Sequence, residues 1–150
     1  MRNVVRFGVP FTCIVLVLSL AGCTAFLGGH ESPTPSTALD VMQAIVDGDS
    51  QTLSAAYGTD LGDDDVRVLR TDLFGQLGSL SLGSPAAVEV PGERSATRRV
   101  YRVTTGLVDD SAAGVIAAPT VVQSEFDVVF GLKSGRWVVT EIVRVDGVAP

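Results

Sequence analysis

The hydrophobic period of this chain changes at Pro85, and that change limits the possible folds more than any other feature of the sequence. Before it, apolar residues recur at helical spacing: Leu39, Met42, Ile45 and Val46 in one segment, Val66, Leu69, Leu73, Phe74 and Leu77 in another. After it they recur every second residue, with Val122, Phe126, Val128 and Phe130 on one parity and Gln123, Glu125 and Asp127 on the other. A 3.6-residue period buries one stripe of a helix; a two-residue period buries one face of a strand. Helices gathered first and strands gathered last make an α+β domain, with the helices covering one face of the sheet. The links between strands are too short for helical crossovers, so the sheet is expected to be antiparallel, with about four strands.

Local signals place the elements. Thr37 and Asp40 have capping-box spacing, which predicts that the first helix opens at Thr37. Asp47-Gly48-Asp49 breaks it, and Asp49 caps a second short helix carrying Leu53, Ala56 and Tyr57 inward as far as Gly58. Asp60-Leu61-Gly62-Asp63-Asp64-Asp65 invites a calcium reading, but a calcium loop needs alternating oxygen ligands, an internal glycine turn and a closing bidentate acid. Here the acids are consecutive and Gly62 precedes them. An aspartate cap on a third helix from about Asp64, with its neighbours favoured by the helix dipole, accounts for them better. Gly75 and Gly78 weaken the end of that helix, and Gly83-Ser84-Pro85 closes the segment.

Strands are predicted at Ala87–Val90, stopped by Pro91-Gly92, then at Arg98–Leu107, Val121–Phe130 and Arg136–Val145. Residues 109–119 read as a small-residue loop, and residues 131–135 turn the last two strands into a hairpin.

The first 22 residues are of a different kind. Arg2 and Arg6 precede an apolar run from Val9 to Leu20, shorter than the roughly 20 residues of a membrane span. Small residues then lead into a cysteine. Leu20-Ala21-Gly22-Cys23 resembles the lipobox of bacterial lipoproteins. The resemblance implies diacylglyceryl modification of Cys23, cleavage between Gly22 and Cys23, and a protein anchored in the cell membrane facing away from the cytoplasm. Stable anchoring takes two acyl chains, each buried CH₂ contributing about 0.8 kcal/mol. The expected organisation is a signal peptide at 1–22, the lipidated cysteine and a Gly-, Ser- and Pro-rich tether at 23–36, one α+β domain at 37–146 and a tail at 147–150. His30, the sole histidine, falls on the tether, with no rigid partners to make it a ligand.

Loss of the signal removes Arg2 and Arg6 and leaves nine basic against 17 acidic residues, a formal charge of −8. Overall charge of that sign argues against nucleic-acid binding and against a domain lying on anionic lipid. Cys13 leaves with the signal and Cys23 is expected to be alkylated, so no disulfide is expected and packing alone must stabilise the domain. Ten arginines against the single Lys133 resemble the usage of high-GC bacteria such as actinobacteria.

The order of elements, with Gly135-Arg136-Trp137-Val138-Val139 and Ala44-Ile45-Val46-Asp47-Gly48-Asp49, resembles nuclear-transport-factor-2-like cone-fold lipoproteins; a cystatin-like sheet is the near alternative. The resemblance implies a curved sheet whose concave face can form a pocket. If Trp137 and Phe126 face the helices, strand parity puts Val139, Glu141, Val143, Tyr101 and Arg99 there too. Glu141 with Arg99 and Tyr101 is then the candidate pocket set, against the plainer reading that Glu141 sits at a wet rim or is turned outward by a bulge. On the opposite face, Arg98 and Arg102 are expected to pair with Glu125 and Asp127.

No nucleophile–base pair, phosphate loop or metal-ligand cluster is visible, and neither cofactor nor metal is expected. These readings favour a non-enzymatic lipoprotein binding an envelope protein or a small apolar ligand. A cone-fold pocket enzyme of isomerase, cyclase or dehydratase type, and a passive structural lipoprotein, are the alternatives.

Overall fold

Thr34, three residues ahead of the expected cap, opens the first helix, α1 (Pro35–Asp47). The computed structural model describes residues 31–75, 80–109 and 121–145. Thr34 and Thr37 form a reciprocal capping box: each side-chain oxygen meets the other's backbone N–H, at 3.1 and 3.3 Å. Pro35 occupies the first helical position, where its missing N–H costs nothing. Helix α2 (Ser50–Tyr57) is capped by Asp49, which accepts from both the backbone N–H and the hydroxyl of Thr52. Helix α3 spans Asp63–Phe74 and stops at Gly75. The expected element order holds, and the described helices include none long and apolar enough to cross a membrane.

Four strands follow: β1 (Leu80–Glu89), β2 (Arg98–Asp109), β3 (Val121–Lys133) and β4 (Arg136–Val145). Each pairs antiparallel with the next, in the order β1-β2-β3-β4, so β1 and β4 are the edges of an open sheet. A 3₁₀ turn at Pro91–Glu93 lies between β1 and β2. Between β3 and β4, Ser134 and Gly135 both take positive φ, as a two-residue type I′ hairpin requires.

The layers meet as the periods require. Val41, Met42 and Ile45 of α1, Leu53 of α2 and Phe74 of α3 pack on Tyr101, Val103, Phe126, Val128 and Phe130 of the central strands. Phe74 meets Phe126 edge-on at 5.4 Å, and Tyr101 meets Phe130 at 5.9 Å. Full burial of a side chain such as Phe126 or Phe130 contributes about 1.5–3 kcal/mol. The inner face of the sheet is thus occupied by helix side chains. Val122 shares its parity but is 49% exposed, because β3 there runs past the buried stretch that begins at Ser124.

Two irregularities depart from the expected pattern. Gly83-Ser84-Pro85 does not close a helical segment; it lies inside β1, where the register slips between Gly83 and Ala86 and Ser84 takes φ of +48°. A proline at a bulge in an edge strand forfeits little of the ladder.

The second slip is in β4. Val129 opposes Glu141 while Phe130 opposes Val139, leaving Thr140 as the extra residue of a bulge. Its hydroxyl donates to the Val129 carbonyl at 3.2 Å. Gly131 provides the space: a Cβ there would stand 2.8 Å from the Thr140 methyl. One extra residue reverses parity. Trp137 and Val139 face the helices as expected and Ile142 joins them, whereas Glu141 and Val143 turn to the outer face and are exposed.

Candidate functional site

The strands bring several of their charged residues to one end of the sheet. There Glu89 ends β1, Arg99 is the second residue of β2 and stands opposite Phe130, and the β3–β4 hairpin carries Lys133 and Arg136. The backbone closes this end, with Leu132 N–H donating to Thr97 and Val90 N–H to Val100.

Arg99 lies along the inner face, its side chain only 12% exposed. Its Nε is 3.5 Å from Glu89 Oε1, its guanidinium carbon is 5.3 Å from the centroid of the Trp137 ring, and its Nη1 donates to the carbonyls of Ser95 and Arg98. Arg94 approaches the other Glu89 oxygen, also at 3.5 Å. Glu89 Oε1 is buried and makes no hydrogen bond, so the nearby guanidinium charge offsets its desolvation.

Tyr101, next inward, donates its hydroxyl proton to the carbonyl of Pro33, itself buried. Burial holds the Tyr101 phenol above its ordinary pKa; the negative Glu89 adds to this, and Arg99 and Arg94 oppose it.

The three residues proposed from parity therefore separate. Arg99 and Tyr101 share the inner face, and Glu141 lies across the sheet from them. The set does not assemble, and Arg99 takes Glu89 as its partner. Sequence reading missed Glu89, though a signal existed. It has the parity of Ala87, and a short antiparallel connection through Pro91-Gly92 brings it beside the start of β2.

On the outer face, Arg102 and Asp127 are register partners joined by two hydrogen bonds, at 2.8 and 2.9 Å. Asp127 raises the pKa of Arg102, first by hydrogen bonding and then by its charge. This half of the expected pairing is present. The other half differs: Arg98 is held 3.3 Å from Glu93, because the turn after β1 folds back beside it, and Glu125 opposes Thr104. A shallow groove of about 250 Å³ runs between Arg98, Arg102, Asp127 and Glu141, with Val100 and Val129 among its lining residues.

A larger cleft, about 430 Å³, opens where α2 ends against the hairpin. Tyr57, Thr59, Lys133, Ser134, Arg136 and Thr140 line it, so two cationic residues and the hydroxyl-bearing Tyr57, Thr59 and Ser134 share one space, while the Thr140 hydroxyl is taken by the Val129 carbonyl. Burial pushes the Tyr57 phenol up to about 12, which keeps it protonated and a hydrogen-bond donor at neutral pH. Donors of this kind suit phosphate or carboxylate oxygens.

The aspartate run does not cap the third helix as expected: Gly62 is the N-cap and Asp63, Asp64 and Asp65 form the first turn, where their charge suits the helix dipole. Asp65 accepts from Gly62 N–H at 2.9 Å, Asp63 from the Ser50 hydroxyl at 2.8 Å, and Asp64 pairs with Arg67 at 2.8 Å. Among the described residues no three His, Cys, Asp or Glu side chains are grouped to hold a metal. Gly22, Cys23 and His30 lie outside the described residues.

No family model matches the chain, and no curated protein matches it. Among solved structures it is similar to the intermembrane space region of the chloroplast protein ARC6, at 19% identity and a TM-score of 0.37, over 77% of this chain and 98% of that one.

Proposed function

We propose that this chain is a bacterial lipoprotein, held at the outer side of the cytoplasmic membrane by lipid on Cys23, whose α+β domain is a non-enzymatic interaction module. The observation that carries the reading is Leu20-Ala21-Gly22-Cys23 at the end of a short apolar run behind Arg2 and Arg6. The fold supports an interaction role on its surface. Helix side chains occupy the inner sheet face, Tyr101 is tied to Pro33, and the open cleft lies outside, between α2 and the hairpin. An envelope protein or a small ligand is the expected partner; nucleic acid is not, given the acidic mature chain.

Mass spectrometry of the protein extracted from membranes tests this directly. An N-terminal Cys23 carrying diacylglyceryl is expected, and Cys23→Ser protein should retain its signal peptide and lack lipid. An intact Met1 on the wild type, or an unmodified Cys23, would sink the reading.

A further inference from the structure

The overall negative charge conceals an asymmetry that the fold creates. Five of the nine basic residues after Cys23, namely Arg94, Arg98, Arg99, Lys133 and Arg136, gather at the hairpin end of the sheet. Five acids lie at or next to that end: Glu31, Asp60 beside Thr59, Glu89, Glu93, and Glu141 beside Thr140. Among the described residues this end is formally neutral and the remainder carries −6.

The same end is where the chain arrives from Cys23. The Tyr101 hydroxyl holds Pro33 near the start of β2. Pro33 is ten steps along the chain from Cys23, at most about 36 Å even when fully extended. A domain of this size has a radius of gyration of about 13 Å, so the leash is comparable to one domain diameter.

We infer that the hairpin end of the domain docks on the anionic phosphate headgroups of the same membrane that holds the anchor. Lys133, Ser134 and Arg136 meet the headgroup layer, with the cleft beside Tyr57 and Thr59 open to lipid phosphate, and the acidic remainder points away. This rests on the lipid-anchor reading. It goes beyond it in assigning the domain an orientation and the surface a ligand chemistry. Basic side chains near an anionic leaflet are attracted within about a Debye length, ~8–10 Å, so salt weakens the docking.

Trp137, the single tryptophan, adjoins Arg136 and reports on this end. The full lipoprotein, purified from membranes, is reconstituted into vesicles of phosphatidylcholine alone or mixed with phosphatidylglycerol, each containing headgroup spin-labelled phospholipid. Quenching of Trp137 should be stronger in the anionic vesicles at low salt and relieved by added salt. Lys133→Gln should lower the docked-to-undocked ratio about fivefold, and Lys133→Gln with Arg136→Gln about 25-fold. The Trp137 emission maximum checks that both variants are folded. Equal quenching in both lipids, variants that dock like the wild type, or dependence on a co-purifying protein rather than on phosphatidylglycerol would each overturn the docking. Protein washed from the vesicles by salt would instead overturn the anchor reading, and protein retained without lipid-dependent quenching would overturn the docking alone.

Discussion

Arg102 and Asp127 stand opposite one another in the central strand pair and share two hydrogen bonds of 2.8 and 2.9 Å across the outer face. Both side chains are partly exposed, at 39% and 22%, so their attraction is screened. A double-mutant cycle of Arg102→Ala and Asp127→Ala should give a coupling of about 0.5–1 kcal/mol, smaller at high salt. A coupling indistinguishable from zero at low ionic strength would show the pair to be incidental.

The bulge at Thr140 depends on the missing side chain of Gly131. Gly131→Ala should destabilise the fold by about 1–3 kcal/mol, since its Cβ and the Thr140 methyl cannot both fit as placed. Thr140→Ser removes that methyl and keeps the hydroxyl that bonds Val129, so the double variant should recover most of the loss. Urea denaturation of the four proteins measures it; equal destabilisation in the presence and absence of Thr140→Ser would refute the steric account.

Tyr101→Phe should leave the buried Pro33 carbonyl without its described donor, at a cost of about 1–2 kcal/mol. The loss should be local in its dynamics. Hydrogen exchange should accelerate in the first turn of α1 more than in β3, whereas uniform acceleration would mean that Tyr101 acts only through core packing.

Alkaline titration should expose both tyrosines, the only two in the chain. Tyr57 is raised to about 12 and Tyr101 is raised as well, so at pH 10, where denatured protein is half ionised, the folded protein should show less phenolate absorbance, with Tyr57 contributing almost none. Because the folded state holds these protons more tightly, the stabilisation is complete below about pH 10 and is lost as pH rises through 12. Tyr57→Phe should flatten that decline. A folded-state phenolate midpoint near 10 would contradict the burial of both groups.

Patterns decided by neighbours along the chain were legible in the sequence, and those decided across strands were not. Strand β4 has the predicted bounds, Arg136–Val145, because its alternation and the turn before it are both local signals. Register pairing of Arg102 with Asp127 followed from matching phase on adjacent strands. Glu141 was misplaced because parity counting assumes an unbroken ladder, and the ladder slips where Thr140 sits over Gly131 of another strand. Gly83-Ser84-Pro85 has the composition of a terminator and acts as a bulge, since an edge strand tolerates what a central one would not. Thr34 rather than Thr37 became the cap because Pro35 is well suited to the first helical position.

The bond between Tyr101 and Pro33 also sets the path of mechanical load. A pull on the chain ahead of Pro33 meets that bond before it can unwind α1 from its first turn. Tyr101 belongs to β2, which is laddered to β1 on one side and β3 on the other. Tension therefore passes into the middle of the sheet and spreads across three strands, and the helix is spared from being peeled off its end.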